Sequence, residues 1–260
     1  MHVGVPKTGT TALQHNFFMR CPGIRYVGKP QSVVSEPAIA LVRAIAALDQ
    51  ADWASGLAAQ TARAAQLVET SQYPIVISDE ELSAGALLGK VDRRTIAERL
   101  KALFPDATIV LVIRNQLTAL PSLYSYAMTM PGVPRISFAA WLEQLRGAGP
   151  LSRGLQLFEY AELAEIYTRL FGRDGVVILL YEEFRDHYER FIARLAECVG
   201  IDTATALSLP NTRMNSRMPI NVELDAAAEH EEFIRDYYAP GNRRLSEVYG
   251  IDVRRLGYPH

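Results

Sequence analysis

The chain has 260 residues, 49% of them hydrophobic and 22% charged, with a formal net charge of −2. A chain of this size buries roughly 70–75% of its unfolded surface, so it needs no staple of disulfides or metal, and its composition excludes disorder as the main state. The near-neutral balance leaves no global basic field, which excludes a general binder of nucleic acid or other polyanions.

Five short apolar runs, at residues 2–5, 24–27, 74–78, 107–113 and 176–180, alternate with helical patterns. The helical stretches are 11–19, 33–48, 53–70, 93–104, 117–129, 138–145, 158–171 and 185–199. Four of the apolar runs are continuous rather than alternating, which suits strands covered by helices on both faces. Strand and helix in alternation imply right-handed crossovers and a mainly parallel sheet. The fold class is therefore α/β: a single domain over residues 1–260, with a central sheet of about five strands flanked by helices. Residues 201–220 lack clear periodicity and contain two prolines, so they read as a long loop, followed by a last helix over 222–248.

No apolar run approaches the roughly 20 residues of a membrane span. The sequence opens on a strand-like run without a charged n-region or an apolar h-region, so the cytoplasm is the expected compartment. Cys21 and Cys198 lie far apart with no CxxC spacing. They predict neither a zinc site nor a disulfide framework, and read as buried thiols in a reducing compartment.

The strongest local signal is Gly4-Val5-Pro6-Lys7-Thr8-Gly9-Thr10-Thr11, which leaves the first strand and enters a helix. A strand, a tight glycine-containing loop and a helix N-terminus form a P-loop-like anion site, with free backbone N–H groups and the helix dipole facing the ligand. Lys7 adds a point charge, and Thr10 and Thr11 add hydroxyls. The nucleotide form G-x-x-x-x-G-K-[ST] places lysine after the second glycine, whereas Lys7 precedes Gly9. The segment resembles the Pro-Lys-(Thr/Ser)-Gly-Thr-Thr loop of the PAPS-dependent sulfotransferases, in their bacterial and carbohydrate-type branch. The resemblance implies that Pro6, Lys7, Thr8, Gly9, Thr10 and Thr11 cradle the 5′-phosphosulfate, with Lys7 also stabilising the leaving group.

A second anion site follows the run Thr-Ile-Val-Leu-Val-Ile-Arg114. A cation at the C-terminal end of a parallel strand lies beside the ligand crevice of an open α/β sheet, and an arginine fork suits a phosphate. Ser122 lies eight residues on. In the sulfotransferases an Arg and a Ser at this spacing hold the 3′-phosphate of PAPS. Two separated phosphate sites suit a 3′-phosphoadenosine donor better than ATP or GTP, whose phosphates form a single chain.

The third apolar run ends in Ser78-Asp79-Glu80-Glu81. Sulfuryl transfer to a hydroxyl needs a base for the acceptor proton. The resemblance implies a glutamate here, and Glu80 is the choice, with Asp79 and Glu81 as alternatives. The dipole at a helix start also favours three acids there. The same acids fit the Mg²⁺ site of a P-loop kinase or ATPase, which is the alternative reading. A non-catalytic 3′,5′-ADP binder is a third.

The resemblance further implies PAPS as co-substrate, 3′,5′-ADP as product, in-line displacement, and a small-molecule or carbohydrate acceptor. Arg213, and with it Arg217, falls in the 201–220 loop and is a nucleotide-side candidate. Tyr124, Tyr126, Met128, Met130 and residues 131–137 are the expected acceptor pocket. Tyr181 and Glu182 read as core. No metal site is expected, His15 is the one histidine beside the loop, and the oligomeric state is not legible.

Overall fold

The computed structural model describes residues 1–29, 36–83, 91–147, 153–211 and 228–260. Five strands form one sheet: β1 (His2–Val3), β2 (Arg25–Gly28), β3 (Ile75–Asp79), β4 (Ile109–Ile113) and β5 (Val176–Leu180). Their order is β2-β3-β1-β4-β5, and every neighbouring pair is parallel. The chain thus builds one half of the sheet through β2 and β3, then crosses β1 to build the other. The C-terminal ends of all five strands face the same edge, where open α/β sheets place their ligand crevice.

The described helices are α1 (Thr10–Ala12), continued by a π-helix (Leu13–Phe18), then α2 (Glu36–Ala47), α3 (Gln50–Glu69), α4 (Arg93–Leu103), α5 (Gln116–Ala127) and α6 (Phe138–Arg146). They continue as α7 (Arg153–Gln156), α8 (Tyr160–Phe171), α9 (Tyr181–Asp186), α10 (Tyr188–Val199), α11 (Thr203–Leu207) and α12 (Ala228–Tyr249). None of the described helices is long and apolar enough to cross a membrane.

Strand β4 explains the layering. Its side chains alternate across the sheet, so Ile109, Leu111 and Ile113 join one core with Leu100, Leu120, Leu142 and Leu163. Val110 and Val112 join the opposite core with Leu13, Phe17, Phe191 and Leu195. Both faces are covered, which is why the run carries no polar alternation. Helix starts follow the side-chain chemistry: Asp49, Asp92, Asn115 and Ser137 each accept a backbone N–H at the N-cap of α3, α4, α5 and α6.

Two expectations are corrected. Residues 185–199 are not one helix, because His187 takes φ −137° and ψ 52° and separates α9 from α10. Residues 201–220 are not loop throughout. Asp202 accepts from Thr205 N at 2.8 Å and caps the short helix α11, a local signal that the absence of apolar periodicity hides. The part of that segment carrying Arg213 and Arg217 lies outside the described residues.

The end of α2 is closed by a side chain from another helix. The buried Arg99 Nη1 donates to the carbonyls of Ile45 at 3.0 Å and Leu48 at 2.9 Å, and its guanidinium stands 4.5 Å from the Trp53 ring centroid. These are terminal carbonyls with no partner inside the helix. Arg99→Met should cost about 2–3 kcal/mol, because charged hydrogen bonds are lost and buried carbonyls are left unpaired. A fall of roughly 5–10 °C in the unfolding midpoint is expected. An unchanged midpoint would exclude this capping role.

Candidate active site

The loop between β1 and α1 is shaped by two left-handed residues, Lys7 at φ 67° and Gly9 at φ 87°. Gly9 suits that conformation, and a Cβ there would also stand 3.2 Å from the Tyr181 ring. At Lys7 it is strained for an L-residue, so the surroundings must impose it. They do so by hydrogen bonds: Thr8 Oγ1 donates to Val5 O at 2.7 Å, Thr10 Oγ1 to the same oxygen at 3.3 Å, and Arg114 Nη1 to Lys7 O at 2.9 Å. Helix α1 opens at Gly9 with no side-chain cap, so its first N–H groups face the loop. The helix then widens into the π-helix, a form that often accompanies functional sites.

The Lys7 ammonium lies 4.8 Å from the Tyr126 ring centroid. Burial lowers its pKa, Arg114 pushes the same way, and Glu80 opposes them without prevailing. Lys7 therefore sits between a cation on the β4 side and a carboxylate on the β3 side.

On the β4 side, the Arg114 guanidinium lies over the Tyr181 ring, 4.6 Å from its centroid, and its Nε donates to Thr118 Oγ1 at 3.0 Å. Its backbone is clamped by Tyr160, whose hydroxyl donates to Arg114 O at 2.8 Å. Glu182, buried at the start of α9, accepts from Asn115 N at 3.0 Å and from the Tyr258 hydroxyl at 2.9 Å. Asn115 caps α5, so Glu182 fixes the turn that carries Arg114. Ser122 lies two turns further along α5 and is half-buried.

On the β3 side the acids converge on one lysine. Lys29 Nζ lies 3.1 Å from Asp79 Oδ1, 3.2 Å from Glu80 Oε2 and 4.0 Å from Glu81 Oε1. Burial alone would lower the Lys29 pKa, but Asp79 and Glu80 outweigh it and hold it above the ordinary value. Glu80 also borders the loop, since a Cβ on Gly4 would stand 3.5 Å from its Cγ. Ser83 Oγ donates to Gly4 O and ties the two strand ends together. Beneath them His2 Nδ1 pairs with Ser78 Oγ at 2.8 Å, and burial pushes the His2 pKa down to about 3, so the imidazole is neutral.

Residues 1–235 match the sulfotransferase domain family. The chain belongs to the sulfotransferase family. A solved sulfotransferase from Alicyclobacillus acidocaldarius shares the fold at 18% identity, with a TM-score of 0.67 over 97% of this chain and 96% of that one. A mouse sulfotransferase solved with PAP aligns at 16% identity over 79% of this chain and 60% of that one, with a TM-score of 0.46, too distant to carry an argument. No curated protein matches the chain.

In this sulfotransferase-family enzyme the structure brings the 4–11 loop, Arg114 and Glu80 to one edge of the sheet. Thr8 and Thr10 are buried, with their hydroxyls on Val5 O, so they shape the loop, and Thr11 is half-buried. Tyr124 and Met128 are buried, and the Tyr124 hydroxyl donates to Ile136 O. Both pack in the core cluster. His15 is half-buried on the π-helix, and the free thiol of Cys198 is only partly buried. Sequence reasoning missed Lys29, Tyr181 and Glu182. Lys29 has no local marker, and Tyr181 and Glu182 read as core. Glu182 is buried and Tyr181 packs against the core, as that reading has it, and each also supports Arg114 or its turn.

Proposed function

We propose that this chain moves a sulfuryl group from PAPS to a hydroxyl of a carbohydrate or small-metabolite acceptor, with residues 1–260 acting as one domain in the cytoplasm. The observation that carries the reading is the hydrogen bond from Arg114 to Lys7 O, which joins two cationic anchors across β1 and β4. The 4–11 loop with Lys7 fits the 5′ side of the donor. Arg114, with Ser122, fits a 3′-phosphate, since Nη2 of Arg114 has no partner among the described residues. The acceptor oxygen attacks sulfur, the bond from sulfur to the 5′-phosphate oxygen breaks, Glu80 takes the acceptor proton, and 3′,5′-ADP leaves with its charge balanced by Lys7. Glu80 suits the base better than Asp79, which is 3% exposed and already accepts from Glu81 N.

The acceptor side has its own chemistry. Tyr126, Met130 and Val133 are 47%, 43% and 37% exposed, and Tyr126 borders the Lys7 ammonium. A ring platform beside a cluster with more carboxylates than ammonium groups suits a neutral acceptor with an apolar or sugar face. The ATP–Mg²⁺ alternative places a divalent ion on acids that already close around Lys29.

The test is thermal unfolding with 3′,5′-ADP, 5′-AMP and ATP–Mg²⁺ in parallel. Ligand at about 100 times its dissociation constant adds roughly 2.7 kcal/mol, which is on the order of 5–10 °C for a chain of this size. The proposal expects the large shift with 3′,5′-ADP. A shift with ATP–Mg²⁺ alone would overturn it, and 3′,5′-ADP binding without turnover of PAPS would leave only a binding protein.

A further inference from the structure

We infer that Lys29 is a positioning residue that holds the Glu80 carboxylate against the 4–11 loop, an assignment that rests on Glu80 being the base. Lys29 follows β2, an edge strand, and is far from the acids in sequence. The parallel register brings it there, with Gly28 opposite Ser78 and Asp79 next along β3.

The turn carrying Lys29 is built to hold it in place. The Tyr26 side chain curls beneath the backbone, and its hydroxyl donates to Lys29 O at 2.7 Å. Only glycine permits this close approach, because a Cβ on Gly28 would come within 2.4 Å of the Tyr26 hydroxyl and 2.3 Å of Ser78 O. The Tyr26 ring is stacked on Phe18 at 6.0 Å with an interplanar angle of 13°. Phe18 closes the π-helix that leaves the phosphate loop. One line of contact therefore runs from that helix through Phe18 and Tyr26 to Lys29, and from Lys29 back to the carboxylate beside the loop.

The three carboxylates are not equivalent. Asp79 is 4% exposed at its side chain, against 25% for Glu80 and 34% for Glu81. Asp79 is thus the fixed end of the cluster and anchors the ammonium, and the anchored ammonium restrains the more open Glu80. A glutamate at a strand end has several free torsions, and a catalytic group misplaced by about 1 Å loses on the order of 10²-fold in rate. A second cation on the acceptor side, pinned by a buried acid, removes that freedom without touching the donor.

The test uses the full chain and the four proteins of a double-variant cycle, namely wild type, Lys29→Met, Glu80→Gln and the double variant, with Lys29→Arg as a fifth. The readout is 3′,5′-ADP released from PAPS with water as acceptor, so no identified acceptor is needed. Glu80→Gln should lose about 10²-fold or more, and Lys29→Met about 10-fold or more. The double variant should be no slower than Glu80→Gln alone, and Lys29→Arg should recover to within about 3-fold of wild type. The stabilising shift given by 3′,5′-ADP should be the same in Lys29→Met as in wild type, which a general loss of structure would not preserve. A wild-type rate in Lys29→Met, or losses that multiply in the double variant, overturns the inference. A wild-type rate in Glu80→Gln instead overturns the base assignment beneath it. If the wild type releases no 3′,5′-ADP with water as acceptor, the unfolding midpoints of the four proteins decide the pairing. Non-additive losses of about 1–3 °C support it and additive losses overturn it.

Discussion

Lys7→Ala should slow release of 3′,5′-ADP from PAPS by about 10²–10³-fold while leaving the unfolding midpoint within about 2 °C of wild type. The size follows from removing one fixed positive group from the atom where negative charge grows, a loss of roughly 3–4 kcal/mol in the transition state. The small effect on stability follows from the backbone. Lys7 has φ 67°, and alanine carries the same Cβ, so the left-handed strain is unchanged. The hydrogen bonds that impose that conformation come from Thr8, Thr10 and Arg114 and end on backbone oxygens, which the substitution leaves in place. What the fold loses is the contact of the ammonium with Tyr126, worth about 0.5–1 kcal/mol at an open site. Rate and stability should therefore part company at this position. A variant that kept its rate would remove Lys7 from the chemistry, and one that unfolded early would make it a structural residue.

Much of the fold is written locally. The run Ile-Val-Leu-Val-Ile of β4 is apolar throughout because both faces of the sheet are covered, and its five residues are buried. Asp49, Asp92, Asn115 and Ser137 mark helix starts by chemistry that depends only on the next three residues. The 4–11 loop is legible for the same reason, since its glycine, lysine and threonines are adjacent. Lys29 was not legible. It meets Glu80 only because β2 and β3 pair in parallel with Gly28 opposite Ser78, a register no local pattern announces. Tyr181 and Glu182 share that history: β5 pairs with β4 over its full length and delivers them beside Arg114. The direction of the Thr8 and Thr10 hydroxyls was hidden too, because it depends on the left-handed turn at Lys7 and Gly9 and not on residue type. Strand order decides which ends become neighbours, and the site's supporting charges arrive from the edge strands.

Arg114→Ala should weaken 3′,5′-ADP by about 30–100-fold and change 5′-AMP by less than about 3-fold. An arginine–phosphate interaction is charge-assisted, and its removal costs on the order of 2–3 kcal/mol, which converts to that range. Discrimination between the two nucleotides arises because they differ in the 3′-phosphate alone. The competing expectation comes from the structure itself: Arg114 also donates to Lys7 O, so its loss could slacken the loop and weaken both nucleotides together. The two outcomes separate cleanly. Glu182→Gln supplies the control, since it disturbs the turn at Asn115 without removing the guanidinium. If Arg114 acts on the 3′-phosphate, Arg114→Ala discriminates between the nucleotides and Glu182→Gln weakens 3′,5′-ADP only through a displaced guanidinium, by less. If Arg114 serves mainly to clamp the loop, Arg114→Ala weakens 3′,5′-ADP and 5′-AMP equally, and the 3′-phosphate must be held elsewhere. The geometry favours the first, because the guanidinium already lies 4.6 Å from the Tyr181 ring centroid and is tied through Nε and Nη1, so little freedom is left to lose when a phosphate meets it.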